Sequence, residues 1–301
     1  LKEMLSASLE KWRVFLHPSQ RRLANDNKTG PVRVLGGAGT GKTVVAMHRA
    51  KWLAENVAST TNNVLFITFT RNLAIDIQNH LSTICSPSTL ERIEVINLDK
   101  WVQHFLYKQS YDYELIYDER VLNLYWDKAF LNKPFDTPLP DSFYKEEWQR
   151  VIQPQSINSL ADYSAASRIG RGTRLNRQQR VALWPVFETF RNQLDRARHK
   201  EADDCYRDAA DYIKSDQVGL PYCAVVVDEA QDMGSQAFKL IRAILPEQAN
   251  DLFLVGDAHQ RMYGKNRVIL GRCGINIVGR SSKLKINYRT TDEIRQCAVN
   301  L

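Results

Sequence analysis

The run Gly36-Gly37-Ala38-Gly39-Thr40-Gly41-Lys42-Thr43 puts glycine where a backbone must curl sharply and ends in a cation beside a hydroxyl. That spacing, GxxxxGK[ST], suits a polyphosphate. Glycines let successive N–H groups aim at one point, and a helix starting at the same place adds the positive end of its dipole. The backbone of Gly37, Ala38, Gly39, Thr40 and Gly41 would wrap the phosphates of ATP. Lys42 would bring a point charge to the β- and γ-groups, and the Thr43 hydroxyl would ligate Mg²⁺. A second cluster, Asp228-Glu229-Ala230-Gln231-Asp232, sets two acids side by side at the end of an apolar run. Such acids repel each other near a low-dielectric core, so a metal gives a physical reason for both. Asp228 would hold Mg²⁺ through water, and Glu229 would orient and deprotonate the attacking water. An acidic strand end facing solvent is the alternative, and the phosphate cradle upstream argues against it.

These groups need elements that bring them together. Val32-Arg33-Val34-Leu35 reads as a short strand and Val44 to Asn56 as a helix, so the glycine run lies in a strand-loop-helix unit and not in an incidental turn. Ala224-Val225-Val226-Val227 has the unbroken apolar pattern of a strand buried on both faces, and Asp251 to Val255 repeats it before Gly256-Asp257-Ala258-His259-Gln260-Arg261-Met262-Tyr263. By itself that last tip is a weak signal, since Gly-Asp turns are common at strand ends. Carboxylates at the C-terminal ends of parallel strands face the crevice where ligands bind, which predicts an α/β fold around a parallel sheet.

Bulk properties set outer limits. The chain has 301 residues, 44% hydrophobic and 25% charged, room enough for a sizeable core and for two domains. No run approaches the roughly 18 apolar residues of a membrane span, and Leu1 to Leu5 lack signal-peptide order, so a cytoplasmic setting without a membrane partner is expected. The five cysteines (Cys85, Cys205, Cys223, Cys273, Cys297) show no CxxC pair and are read as reduced thiols. A net charge of +7 is a mild argument for an anionic partner.

In their order the motifs resemble the UvrD/Rep/PcrA group of superfamily 1 helicases. Leu16-His17-Pro18-Ser19-Gln20 is similar to the family's glutamine element, Gly36 to Thr43 to its first motif, and Thr68-Phe69-Thr70-Arg71-Asn72-Leu73-Ala74 to its single-strand contact motif. Val227 to Asp232 resembles VDEAQD, Leu254 to Tyr263 resembles LVGDxxQxxY, and Asn287-Tyr288-Arg289-Thr290 looks like the NYR motif. The resemblance implies a RecA-like P-loop NTPase sheet that uses ATP and Mg²⁺ to move 3′-to-5′ on single-stranded or partly duplex DNA. It also implies roles for single residues. Gln20 would read adenine and Tyr288 stack on it, while Gln260 and Arg289 would touch the γ-phosphate. Phe69 and Tyr263, with Arg71 and Asn72, would meet nucleic acid, although either aromatic could instead pack into the fold. Two positions depart from the family pattern. Val44 replaces the usual arginine after GKT, and Ile96-Asn97-Leu98-Asp99-Lys100 stands where Thr-x-His-Ser is common.

The RecA-like domain is expected to be discontinuous, residues 1–100 and 221–301, around a mainly helical insertion at 101–220. Within the insertion, Ser167 to Arg180 repeats arginine about every third position with no acid among them. This is either a phosphate-seeking strip using Arg171 and Arg174 or a solvated loop. The family's second RecA-like domain would begin near Leu301, so these residues are expected to act as a monomeric, weakly hydrolysing fragment that does not unwind. A nucleic-acid-bound regulatory ATPase switch is the competing function. A P-loop kinase or GTPase is disfavoured, since no guanine-reading Asn-Lys-x-Asp is present.

Overall fold

The computed structural model describes residues 14–135, 139–215, 219–257 and 268–287. Its centre is a parallel sheet of β1 (Val32–Gly36), β2 (Asn63–Thr68), β3 (Ile93–Asn97), β6 (Tyr222–Val227), β7 (Leu252–Gly256) and β8 (Ser281–Leu284) in the order β3-β2-β6-β7-β1-β8. This is the expected α/β architecture with helices on both faces. The interior strands are apolar at nearly every position because both faces are covered. Val64, Phe66, Ala224, Val226, Phe253 and Val255 point to one core, and Leu65, Ile67, Val225, Val227, Leu252 and Leu254 to the other.

The first core is closed by α1 (Lys42–Asn56) and α2 (Arg71–Ile84), which contribute Val45, Met47, Leu53, Ile77 and Leu81. The opposite core is closed by α3 (Leu98–Lys108), α7 (Ala202–Ser215) and α8 (Ser235–Ile244). Between α3 and α7 run α4 (Glu119–Phe130), α5 (Asp141–Glu147) and α6 (Arg177–Arg196), which form a separate aromatic core in which Trp126 stacks on Phe190 at 3.8 Å. The helices α3 and α7, which flank that core in the chain, pack on the sheet.

Its two ends are tied by a short parallel pair, β4 (Glu114–Leu115) with β5 (His199–Lys200). A second tie starts from α8: Gln236 donates to the Gln153 carbonyl at 3.1 Å and to Ser156 Oγ at 2.7 Å, and Ser235 Oγ donates to the Pro154 carbonyl at 3.0 Å. The helix that follows the acidic cluster is therefore tied to the turn from Gln153 to Ser156. No helix among the described residues is long and apolar enough to cross a membrane.

Candidate nucleotide site

The loop between β1 and α1 has the backbone its glycines permit. Gly39 (φ 77°) and Gly41 (φ 79°) occupy the left-handed region, where a side chain would strain the chain. A Cβ at Gly36 would lie 2.3 Å from Thr40 Oγ1, so that position requires glycine, whereas the space beside Gly37 is open. Thr40 Oγ1 and Lys42 Nζ both donate to the Gly37 carbonyl, at 2.8 and 3.0 Å, which pulls the loop into a closed curl. Gln20, 4% exposed, donates from Nε2 to the Thr40 carbonyl at 3.0 Å, so the residue expected at the adenine is anchored to the phosphate loop.

Thr43, in the first turn of α1, meets Asp228 at the end of β6: its Oγ1 donates to Asp228 Oδ2 at 2.7 Å. Asp228 is completely buried, and burial, followed by the neighbouring Glu229, pushes its carboxyl up to about 6 against the opposing pull of Thr43 and Lys42. Its Oδ1 accepts the Glu229 N–H at 3.0 Å. Glu229 itself sits at φ 52°, ψ 39°, the left-handed region that non-glycine residues rarely adopt. Such a conformation persists where the surroundings impose it.

The tips of β1 and β6 are not adjacent, because β7 runs between them, pairing Leu35 with Gly256 and Val227 with Leu254. The intervening tip contributes Asp257, 3% exposed, whose Oδ2 lies 3.5 Å from Lys42 Nζ. Sequence reasoning assigned no role to Asp257. Its signals are an apolar strand running into Gly-Asp, a pattern shared by many turns, and its place in the stretch from Leu254 to Tyr263 that resembles LVGDxxQxxY.

The donor set fits a magnesium-bound polyphosphate. It combines a curled backbone with open space beside Gly37, a buried lysine, and a hydroxyl facing a carboxylate whose charged form is disfavoured as it stands. Gln260, Tyr263, Tyr288 and Arg289 lie outside the described residues.

Among the expected nucleic-acid contacts, Arg71 and Asn72 are exposed at the start of α2. Phe69 is half-buried and lines a small hollow with Leu98, Asp99, Tyr206, Met233 and Ala237. Asp99, from the departing Ile96–Lys100 element, accepts a hydrogen bond from the Tyr206 hydroxyl. The arginine strip divides. The Arg168 and Arg171 side chains are each 6% exposed and pair with the fully buried Glu147, Arg171 also reaching Glu146 at 2.6 Å. Arg180 donates to the carbonyls of Tyr163, Ser164 and Ala166. The Arg171 guanidinium is paired with Glu147 and Glu146, acids 24 and 25 positions earlier, while Arg174 is exposed.

Comparison with known proteins agrees with this geometry. Residues 16–266 match the family model for the UvrD/REP helicase N-terminal domain. The chain is 23% identical over 285 residues to the ATP-dependent DNA helicase PcrA of Leuconostoc citreum, covering 89% of this chain and 36% of that protein. It is 24% identical over 294 residues to the ATP-dependent DNA helicase Rep of Buchnera aphidicola, covering 90% and 43%. With PcrA of Staphylococcus aureus it shares 24% over 256 residues, covering 78% and 32%. The chain thus spans about a third to two fifths of the length of these relatives. The phosphate loop, the buried Asp228 beside Thr43 and the matched span lead to one assignment: this chain belongs to the UvrD/REP helicase N-terminal domain family.

Proposed function

We propose that the chain is the ATP-hydrolysing portion of a DNA helicase or translocase motor that moves 3′-to-5′ on single-stranded DNA. The observation that carries this reading is the meeting of Thr43 with Asp228 at 2.7 Å, with Lys42 3.5 Å from Asp257 and Glu229 next in the chain to Asp228. Mg²⁺ would be held by Thr43 and Asp228, and would neutralise phosphate charge there. Lys42 binds the β- and γ-phosphates, the loop amides from Gly37 to Gly41 orient them, and Glu229 accepts a proton from the attacking water. Gln20 contacts adenine from its anchor on Thr40.

Phe69 at the end of β2, with Arg71 and Asn72 beside it on α2, forms the nucleic-acid edge of this domain, and the exposed Arg174 is a further phosphate contact. An aromatic face stacks on any base for about 1–3 kcal/mol, which suits a motor that must not read sequence. The test is ATP hydrolysis by the complete protein with and without single-stranded DNA, followed by strand displacement from 3′- and 5′-tailed duplexes. Strong stimulation and displacement from the 3′-tailed substrate are expected; hydrolysis indifferent to DNA would overturn the motor reading.

A further inference from the structure

Gln231 stands between the acidic cluster and the tip of β7, and both ends of its amide are engaged. The amide nitrogen donates to Glu229 Oε2 at 2.6 Å and to Asp232 Oδ2 at 3.1 Å, and the amide oxygen accepts the backbone N–H of Asp257 at 2.8 Å. This arrangement needs one planar group that donates on one side and accepts on the other, which among side chains of this length is the glutamine amide. A carboxylate there would repel Glu229, and a hydrocarbon would leave both neighbours without their bond.

The seat is shaped for it. A Cβ at Gly256 would lie 2.9 Å from Gln231 Oε1 and 3.2 Å from the Gln231 backbone nitrogen, so a side chain at Gly256 would push the amide out of place. The Glu229 backbone is held in its left-handed conformation from two directions, by Asp228 Oδ1 accepting its N–H and by the Asp232 N–H donating to its carbonyl, each at 3.0 Å. Those bonds fix where the Glu229 side chain starts. The bond from Gln231 fixes where its carboxylate ends.

We infer that Gln231 is a positioning residue that registers the Glu229 carboxylate to the tip of β7, so that Glu229 faces the attacking water only while the Asp257 N–H bond to Gln231 is made. Asp257 is also the residue whose carboxylate lies beside Lys42, so one residue at the β7 tip touches the phosphate lysine through its side chain and the base through Gln231. Displacement of that tip would alter both at once, which gives the site a mechanical link between phosphate binding and the placing of the base. This role for Gln231 rests on the proposed role of Glu229 as general base.

The experiment uses the complete protein and compares steady-state ATPase at saturating single-stranded DNA with equilibrium binding of a fluorescent non-hydrolysable ATP analogue. Gln231→Glu keeps the chain length and an oxygen for the Asp257 N–H, but sets a carboxylate where Glu229 needs a donor. Its kcat should fall by about 30-fold or more while the analogue's Kd changes by less than about threefold, a split that general damage to the fold would not give. Gly256→Ala, which displaces the amide from the opposite side, should give the same split with a loss of about 5–10-fold, and it carries the test if the glutamate variant does not fold. Turnover of Gln231→Glu within about threefold of wild type, or loss of analogue binding in parallel with kcat in the folded variant, would overturn the inference. Failure of the general-base role itself has a different signature: Glu229→Gln would then turn over like wild type, and the role of Gln231 would fall with it.

Discussion

The Thr43 hydroxyl donates to Asp228 Oδ2 at 2.7 Å although the two residues follow strands that do not pair, β7 lying between β1 and β6. The crevice is thus built from three strand tips, and its parts can be removed one at a time. Lys42→Ala in the complete protein should reduce kcat/KM for ATP by about 10³-fold or more, because the point charge on the γ-phosphate goes with it. Glu229→Gln should reduce kcat by about 10²–10⁴-fold and leave ATP affinity within a few fold. Single-turnover hydrolysis alongside nucleotide binding separates the two outcomes, and equal loss of binding in both variants would contradict the division of labour between the lysine and the glutamate.

The same hydrogen bond supports the proposed place of Thr43 on the metal side of the site. Thr43→Val removes the hydroxyl at nearly constant volume and leaves Asp228, fully buried, without this donor. The Mg²⁺ concentration giving half-maximal ATPase should rise by about 10-fold, and chelation with EDTA should stop turnover in wild type and variant alike. A magnesium titration of each protein measures the shift directly, and unchanged half-saturation would remove Thr43 from the metal.

Exposure separates two arginines that the sequence presents as equivalents. Glu147→Ala leaves Arg168 and Arg171, each 6% exposed, without their shared acid, and should destabilise the insertion by about 3 kcal/mol. Arg174→Ala should leave the melting temperature unchanged but reduce the slope of log affinity for DNA against log salt by about 1. Thermal denaturation and a salt titration on both variants check the pair; a reduced salt slope in a folded Arg171→Ala protein would restore that residue to the DNA.

Glu201 adds a pH dependence where the insertion joins the sheet domain. Burial, then the neighbouring Asp204, raises its carboxyl from 4.5 to about 7 against the hydrogen bonds it accepts from Trp148 and Gln153. A carboxyl so raised binds its proton more tightly in the folded state than in the unfolded chain, so its contribution to stability is complete below about 4.5 and declines as pH rises towards about 7. Glu201→Gln keeps an acceptor without the charge, and should be more stable than wild type by about 1–3 kcal/mol at pH 8 with the difference vanishing near pH 4.5. Denaturant unfolding at pH 5 and pH 8 measures it, and a gap that widens toward acid would refute the assignment.

Much of the local structure around the candidate nucleotide site was legible in the residues alone. The curl from Gly36 to Thr43 depends on local backbone freedom, and β6 and β7 on unbroken apolar runs, so type and spacing suffice to determine them. The helix Arg177–Arg196, opened by a capping box between Asn176 and Gln179, starts inside the stretch that the sequence presents as an arginine strip or a solvated loop. Only the tertiary structure decided that β7 enters between β1 and β6, that Asp257 therefore faces Lys42, that Gln231 spans from Glu229 to the β7 backbone, and that Glu147 pairs with both Arg168 and Arg171. Each of these joins residues brought together by folding, and the energy that selects the pairing is the collective burial of both sheet faces and the insertion core. A charge or an amide in the sequence carries its chemistry with it, but its partner is set by the packing that brings distant segments together.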